Sequence, residues 1–431
     1  MDKFIGYTCS ICQHDYAPDE VTYTCPKDGG NLDVILDYDA IRKKYQPEDL
    51  LSRANPSIWR YLPLLPVSAP SGDATPLHLV GGTPIYSLTH TAEKLGLKQL
   101  WLKDESRNPT ASFKDRASAI VVTRAREIKA EVVVTASTGN AGAALAGMAA
   151  AVGQKAVIFA PRSAPQAKIA QLLVFGARVI LVDGSYDDAF DLTVKAAQEF
   201  GWYCRNTGYN PFTAEGKKTA AFEIWEFMRN QMGTGMRASS NSITIPVNEQ
   251  RLAIFVSVGD GNIISGLHKG FKDLHTLGWL GRMPRIIGVQ AEGSAAIANT
   301  FHDFIKSGSE IIHPVQAKTI ADSISVDLPR DGLRALRAAS ETGGTYITVS
   351  DQKIISAISD LGQIGVFAEP AGAAAFAGLI EAKNQGWLEA DSPVLVINTG
   401  SGLKDIRAAL QAVQPAPIIE PTLDALKRIF P

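Results

Sequence analysis

The stretch ESRNPTASFKDR, residues 105–116, is the part of the chain around which the rest is organised. An apolar, strand-like run precedes it over residues 99–103, and a run compatible with a helix follows over 115–128. Lys114 therefore lies at a strand-to-helix junction among small hydroxyl and apolar neighbours. If its side chain faces inward, the loss of water disfavours the charged form and leaves more of the free amine that attacks aldehydes. Taken alone, a lysine at a solvated helix end is the simpler interpretation.

Short apolar or β-branched runs alternate with helix-length segments along most of the chain. The predicted strands are residues 132–137, 156–160, 178–183, 203–207, 252–258, 285–291, 346–349 and 393–398. Helix-length segments between the first of these runs are residues 140–152, 165–175 and 187–200. The alternation predicts an α/β fold of two open, mostly parallel sheets flanked by helices. A ligand is expected in the crevice beyond the carboxyl ends of the strands.

Two glycine-bearing turns each follow a predicted strand and open a helix. They are STGNAG, residues 137–142, and VGDGN, residues 258–262. Free backbone N–H groups at such turns, together with the helix dipole, attract anions, and the second turn is predicted to hold a phosphate. No lysine follows as in a Walker loop, and Gly259 and Gly261 lack the third glycine of a nicotinamide site. Nucleoside triphosphates and hydride transfer are therefore not indicated.

Four motifs follow one another along the chain: SFKDR around Lys114, then STGNAG, GDGN and, at residues 398–402, NTGSG. Together they resemble the pyridoxal-phosphate enzymes of the tryptophan synthase β-subunit type, and the threonine synthase family most closely, over roughly residues 75–412. The resemblance implies the fold known as type II and a pyridoxal 5'-phosphate joined covalently to Lys114. It further implies cofactor contacts from Asn140 at the ring hydroxyl, Thr399 at the pyridine nitrogen, and the turn Val258, Gly259, Asp260, Gly261 and Asn262.

The resemblance also implies a substrate site and a reaction. Ser137, Thr138 and Gly139 would bind the carboxylate of an amino acid, and Lys114, once freed from the cofactor, would move protons at the α-carbon. In the family this continues by γ-elimination of phosphate from O-phospho-L-homoserine and addition of water to give L-threonine. A neutral hydroxyl at Thr399 favours elimination and replacement over transamination.

The region implied to bind the substrate phosphate departs from the family pattern. Asn206 and Thr207 match a strand-end pair of the family, but Thr213 stands where the family carries an arginine. A bidentate guanidinium contributes about 1.5 to 3 kcal/mol through charge-assisted hydrogen bonds. Lys217, or Lys218 beside it, is expected to compensate, although a lysine offers a point charge and not a fork.

This departure keeps other substrates and activities open. One alternative is a serine/threonine dehydratase, which releases ammonia and a keto acid, and another is a β-replacement enzyme such as a cysteate or cysteine synthase. A hypothesis of a different class is a non-catalytic amino-acid sensor on the same scaffold. The presence of Lys114 speaks against that hypothesis.

Composition excludes several classes of function. The chain has 431 residues, 45% hydrophobic and 20% charged, which is the composition of an ordinary globular protein with room for two lobes. A formal net charge of -2 with both signs scattered offers no basic face for nucleic acid. No apolar run is long enough to span a membrane, and no signal-peptide pattern opens the chain. We expect a cytoplasmic enzyme for a small amino acid, and the resemblance implies a homodimer.

The first residues form a candidate metal-binding unit. Cys9, Cys12, Cys25 and Asp28 are spaced like the two ligand pairs of a zinc ribbon, with Asp28 in the place of a cysteine. A Cys3Asp zinc site, with His14 as a further candidate ligand, and a unit that has lost its metal are both compatible with this pattern. In either case its expected role is structural.

Five segments are expected along the chain. They are a zinc-ribbon-like unit over 1–37, an N-terminal wrap and first part of a large domain over 38–112, a small α/β domain over 113–212, a large α/β domain over 213–412 and a C-terminal tail over 413–431. A polar stretch over 231–250 has no clear period and is predicted to be an inserted loop.

Overall fold

The computed structural model of the chain describes residues 3–51, 55–72, 74–164, 166–232 and 251–430. Its strands are β1 (Phe4–Cys9), β2 (Asp15–Tyr16), β3 (Leu32–Leu36), β4 (Ile85–Ser87), β5 (Leu100–Asp104), β6 (Val132–Ala136), β7 (Lys155–Pro161), β8 (Arg178–Val182), β9 (Tyr203–Cys204), β10 (Ala253–Ser257), β11 (Arg285–Ala291), β12 (Thr345–Val349) and β13 (Val394–Asn398).

The α-helices of the described residues separate most of these strands. They are α1 (Tyr38–Lys44), α2 (Thr89–Lys94), α3 (Lys114–Glu127), α4 (Asn140–Ala150), α5 (Gln166–Val174), α6 (Tyr186–Phe200), α7 (Phe212–Lys217), α8 (Thr219–Met232), α9 (Asn262–Thr276), α10 (Ala296–Ser307), α11 (Gly332–Thr342), α12 (Asp351–Gln363), α13 (Pro370–Asn384), α14 (Ile406–Ala409) and α15 (Leu423–Lys427). Residues 233–250 of the predicted inserted loop lie outside the described residues, and its first two residues end α8.

The larger sheet has six strands in the order β12-β11-β10-β13-β5-β4. All neighbouring pairs are parallel except β4 and β5 at the edge. Every residue of β10 and β13 is buried, because helices cover both faces of a parallel sheet. Helix α13 is rich in alanine and glycine and lies against the sheet so closely that a Cβ on Gly378 would come within 2.4 Å of Val289.

The smaller sheet has four parallel strands in the order β8-β7-β6-β9. Its last strand is shorter than the predicted run over 203–207. After Cys204 the chain makes one more ladder contact, from Arg205 N to Val134 O at 2.7 Å, and then turns. The side chain of Asn206 takes over there, since its Oδ1 accepts from the backbone N–H of Ala136 at 2.8 Å. The predicted fold class is confirmed by these two mostly parallel sheets.

A three-stranded antiparallel sheet, β2-β1-β3, forms the N-terminal unit and is tied firmly to the body. The hydroxyl of Tyr23 accepts a hydrogen bond from Cys204 N at 2.9 Å. Asn31 donates to the carbonyl of Arg330 at 3.1 Å, and Arg334 pairs with Asp33 at 2.7 Å. Within the described ranges, no helix has the length and apolar character needed to cross a membrane.

Candidate active site

Lys114 is the first residue of α3 and faces a large cavity. The junction is fixed by the backbone, because Phe113 N donates to the carbonyl of Thr399, at the end of β13, at 2.9 Å. Lys114 is half-buried and lines a cavity of about 550 Å³. Burial lowers the pKa of its amine, and the charge of Arg205 lowers that pKa further, while Glu369 and Asp260 oppose the shift. The structure thus gives the lysine the desolvated setting that the sequence predicted.

Both glycine-bearing turns lie in the wall of this cavity. Residues 137–140 and residues 258–262 both line it, together with Thr207 and Lys217. Two predicted site residues do not line the cavity among the described residues, namely Asn206 and Thr399. Asn206 is buried beneath the first turn, and Thr399 is buried and joined to the lysine segment by its carbonyl oxygen.

The first turn begins where β6 ends and places Asn140 at the start of α4. The hydroxyl of Ser137 accepts a hydrogen bond from Gly139 N at 3.2 Å, which closes the turn. Asn140 donates from Nδ2 to Glu369 Oε1 at 2.7 Å. Burial raises the pKa of Glu369 to about 7. A Cβ on Gly400 would lie 2.3 Å from the same carboxylate oxygen, so only glycine leaves the acid room to reach the asparagine.

The second turn requires its glycines. Gly261 has a φ of +92° and caps α9, and a Cβ there would come within 2.7 Å of Ala335. A Cβ on Gly259 would lie 2.7 Å from the backbone of Ile324. The backbone therefore approaches its neighbours closely and presents the N-terminus of a 15-residue helix to the cavity. Such a turn is suited to a phosphate group.

These features together fit pyridoxal phosphate. The cavity has room for a small aromatic group, a desolvated amine lies in its wall, and a helix N-terminus provides an anion cradle. Lys114 would hold the aldehyde, the 258–262 turn the phosphate, and Asn140 the ring hydroxyl. Asn140 is already oriented for this, because one of its two amide protons is directed at Glu369 and the other remains available.

The polar side chains of α7 and of Lys218, which follows it, differ in their hydrogen-bond partners. Lys217 is buried, lines the cavity and donates to Asn262 Oδ1 at 2.5 Å. Lys218 instead pairs with Asp273 at 2.7 Å and with Glu215. Thr213 is buried and donates to the carbonyl of Asn210 at 2.8 Å. Of the two lysines considered for the missing arginine, only Lys217 is therefore in position to face a ligand.

Sequence reasoning left two residues of this region without a role, Glu369 and Arg205. Glu369 begins the sequence EPAGA, residues 369–373, which shows no sign of its partner, because the bond to Asn140 joins positions 229 apart. Arg205 is fully buried and donates to Thr207 Oγ1 at 2.6 Å. Its only signal in the sequence is that a charged residue lies within the predicted strand over residues 203–207.

The N-terminal ligand set is also brought together. Cys9, Cys12, Cys25 and Asp28 each offer one atom, and these atoms lie within 4.8 Å of one another. The sulfurs of Cys12 and Cys25 are 3.7 Å apart, close to the edge of about 3.8 Å in a tetrahedron with Zn–S bonds of about 2.3 Å. All four cysteines of the chain are free thiols. His14 is not part of this group; its ring contacts Tyr16 at 4.7 Å.

Comparison with known proteins places the chain among characterised sequences. Residues 77–400 match a family model described as pyridoxal-phosphate dependent enzyme. The chain is 37% identical over 424 residues to a threonine synthase of Methanocaldococcus jannaschii, covering 98% of both chains. It is 36% identical over 423 residues to a threonine synthase of Methanosarcina acetivorans, covering 97% of both.

Solved structures show the same fold at lower identity. The processed form of threonine deaminase isoform 2 from Solanum lycopersicum superposes with a TM-score of 0.62 and 21% sequence identity. The match covers 81% of this chain and 92% of the deaminase. At this identity the similarity concerns the arrangement of strands and helices alone.

Proposed function

This chain belongs to the threonine synthase family of pyridoxal-phosphate dependent enzymes, and from that premise we propose that it converts O-phospho-L-homoserine and water to L-threonine and phosphate. The predicted family is confirmed by matches that span nearly the whole chain. The observation that carries the proposal is the position of Lys114 in one cavity with the two glycine turns. A cavity with a reactive amine, a cofactor cradle and further cationic groups suits an amino acid that bears a phosphate.

The protein's own residues supply binding and proton transfer. Pyridoxal phosphate, when bound, supplies an electron sink for negative charge at the substrate carbon. Ser137, Thr138 and Gly139, at the N-terminus of α4, would bind and orient the substrate carboxylate. Lys114, with its lowered pKa, would take up and return the proton at the α-carbon. Asn140 would orient the ring, and Glu369 holds Asn140 in place. The family resemblance alone assigns Thr399 to the pyridine nitrogen.

Product analysis tests the proposal. The holoenzyme should release phosphate and L-threonine from O-phospho-L-homoserine, and Lys114→Ala should abolish both products together with the visible absorption of the bound cofactor. Ammonia from threonine or serine, with no phosphate from O-phospho-L-homoserine, would establish a dehydratase instead. Turnover of O-phosphoserine with an added sulfur nucleophile, again without phosphate from O-phospho-L-homoserine, would indicate a β-replacement enzyme.

For the N-terminal unit we propose a structural zinc ion held by Cys9, Cys12, Cys25 and Asp28. The sulfur spacing and the convergence of four ligand atoms support it. Protein purified without chelator should contain zinc in a ratio near one per chain, and Cys12→Ser should lower that content. Absence of zinc after refolding in zinc-containing buffer would refute the site.

We also propose that the protein is a homodimer, because the family resemblance implies it, and that it is cytoplasmic, as expected from its composition. Light scattering coupled to size-exclusion chromatography measures the mass of the assembly, and a monomer mass would contradict the dimer. The domain division at residues 113–212 and 213–412 is proposed on similar grounds. The four strands of the smaller sheet all fall within residues 113–212, which supports that boundary.

A further inference from the structure

We infer that Arg205 is a positioning residue that turns the hydroxyl of Thr207 into a donor for a phosphate monoester, and that Lys217 is the cationic contact of the same subsite. The inference rests on the proposed function and names the residues with which this chain recognises the phosphate of its substrate. Three observations carry it: a hydroxyl whose proton cannot point at its neighbouring guanidinium, a buried guanidinium without a carboxylate partner, and an amine with unused protons.

The direction of the Thr207 proton follows from its partner. Arg205 donates from Nη1 to Thr207 Oγ1 at 2.6 Å. A guanidinium has five N–H donors and no acceptor, so the hydroxyl oxygen must be the acceptor in this bond. The hydroxyl proton of Thr207 cannot point back at Arg205. Because Thr207 lines the cavity, its proton is available to an acceptor there.

Arg205 is an unusual buried cation. It has no exposed surface, its Nε donates to Ser118 Oγ at 3.3 Å, and its Nη2 has no hydrogen-bond partner in the described part of the chain. No carboxylate lies within ion-pair distance of it among the described residues. Burial lowers the pKa of its guanidinium to about 10. A buried cation without a counter-ion is costly, and a dianion in the neighbouring cavity would offset that cost.

Lys217 adds a second charge with protons to spare. An ammonium group has three donors, and the bond from Lys217 to Asn262 Oδ1 uses one of them. Thr213, one helical turn earlier in α7, lies 3.1 Å from the same Asn262 oxygen. Thr213 carries no charge, so Lys217 is the member of this pair that brings a positive charge to Asn262. Burial, and then the charges of Lys114 and Arg205, hold the pKa of Lys217 well below its usual value.

A phosphate monoester in this cavity could belong to the substrate or to the cofactor. The turn over 258–262 with the N-terminus of α9 offers backbone N–H groups as one anion cradle. Lys217 lies beside this cradle through its bond to Asn262, whereas Thr207 and Arg205 bond to each other, and the three residues together would hold a second phosphate. The two sources are separable, because one determines substrate affinity and the other determines retention of the cofactor.

The experiment uses the holoenzyme and three side-chain changes. Lys217→Gln and Thr207→Val remove a donor, and Thr207→Ser is the matched control that keeps the hydroxyl. For each protein we would measure kcat and KM for O-phospho-L-homoserine, the Kd of inorganic phosphate by calorimetry, and cofactor retention by visible absorption. Lys217→Gln should raise the KM and weaken phosphate binding by about tenfold or more, as expected for a charge-assisted contact. Thr207→Val should do so by a smaller factor, and Thr207→Ser, which keeps the hydroxyl, should weaken phosphate binding less than Thr207→Val.

Arg205 is tested through its dependence on Thr207. Arg205→Met should weaken phosphate binding. If Arg205 acts only through the hydroxyl of Thr207, adding Thr207→Val to Arg205→Met should weaken phosphate binding little further. In other words, the two effects should be strongly non-additive. If Arg205→Met does not fold, Arg205→Lys provides the same comparison with a retained charge. Fully additive losses would overturn the positioning role.

The remaining outcomes separate this inference from the proposed function. Unchanged phosphate affinity with loss of cofactor would assign the subsite to the cofactor and overturn the inference. So would an unchanged KM in Lys217→Gln on an enzyme that makes threonine. Failure of the unmodified holoenzyme to release phosphate from O-phospho-L-homoserine would instead refute the proposed function, whatever inorganic phosphate does.

Discussion

Lys114 and Arg116 lie two residues apart in the first turn of α3, and their side chains enter two buried clusters of opposite character. At about 100° per residue the two side chains leave the helix roughly 200° apart. On one side, Arg116 joins Glu105, Glu223 and Lys103. On the other, Lys114 faces the cavity near Lys217 and Arg205. The first cluster is complete within the chain, and the second is not.

In the complete cluster, every charge has a partner. Arg116 donates to Glu105 at 2.7 and 2.8 Å and to Glu223 at 2.8 and 2.7 Å. Lys103 donates to Glu223 at 2.6 Å. Burial alone would raise the pKa values of both carboxyls, but the charges of Arg116 and Lys103 outweigh it and lower them. Two cations and two carboxylates cancel, so the cluster needs nothing from outside.

In the incomplete cluster, the pKa shifts have the opposite sense. The pKa values of Lys114, Lys217 and Arg205 are all lowered by burial, and those of Asp260 and Glu369 are raised by burial. Cations and acids here are desolvated without being fully paired. The comparison shows that burial of charge does not by itself indicate a binding site. Buried hydrogen-bond donors that have no acceptor among the described residues do indicate a binding site.

The strongest test of the comparison breaks the complete cluster. Glu223→Ala removes the acceptor shared by Arg116 and Lys103 and leaves two buried cations with one carboxylate. We expect a loss of about 3 to 5 kcal/mol in the free energy of unfolding, measured by urea denaturation of the apo-protein. A loss below about 1 kcal/mol would mean that the pairing contributes little to stability.

The second test concerns the pH dependence of stability in the incomplete cluster. Glu369 has an ordinary pKa of 4.5, raised to about 7 in the fold, so the folded state retains a proton that the unfolded chain gives up between these values. Stability from this group is present below pH 4.5 and is lost as the pH rises through 7. Glu369→Gln should remove this loss, giving an apo-protein more stable than the parent at pH 8 by about 1 to 3 kcal/mol. Parallel stability curves for the two proteins would contradict the prediction.

The third test asks whether a residue proposed to bind phosphate lowers the stability of the apo-protein. Lys217→Met removes a buried cation that has no carboxylate partner among the described residues, and we expect the apo-protein to gain about 0.5 to 2 kcal/mol. Because the folded pKa of Lys217 is lowered, the gain should be largest at low pH and should shrink as the pH rises. Denaturant unfolding at two pH values measures it. A stability loss as large as that of Glu223→Ala would mean that Lys217, like Arg116, is fully paired within the protein, and would contradict the prediction.

The smallest effect is expected at an exposed pair. Lys155 and Glu131 lie 2.7 Å apart, yet their side chains are 70% and 77% exposed. Glu131→Ala should leave the midpoint of urea unfolding unchanged, because water and salt screen such pairs. This variant also serves as the control for the three buried changes. A clear shift of its midpoint would show that ion-pair count matters here as much as burial.

Much of this architecture was predictable from sequence because its signals are local. The alternation of strands and helices, the turn at 258–262 and the junction at Lys114 each depend on neighbouring residues. The strand order was not predictable, since it is decided by packing between distant segments. The same holds for the bond between Asn140 and Glu369 and for the direction of the Arg205 side chain, which depends on contacts with Ser118 and Thr207.

The fastening of the N-terminal unit has a consequence for the order in which the molecule is assembled. The hydrogen bond from Asn31 to Arg330 joins positions 299 apart, and that from Arg334 to Asp33 joins positions 301 apart. During synthesis the unit leaves the ribosome long before these partners exist, and its buried apolar residues share one core with the body of the protein, so its packing is completed only after the later segments have been made. Contacts across so long a span form late in folding, since closure of the intervening chain is entropically unfavourable. Arg330 lines the cavity, and so the rim of the pocket is completed only when the earliest and a late part of the nascent chain meet.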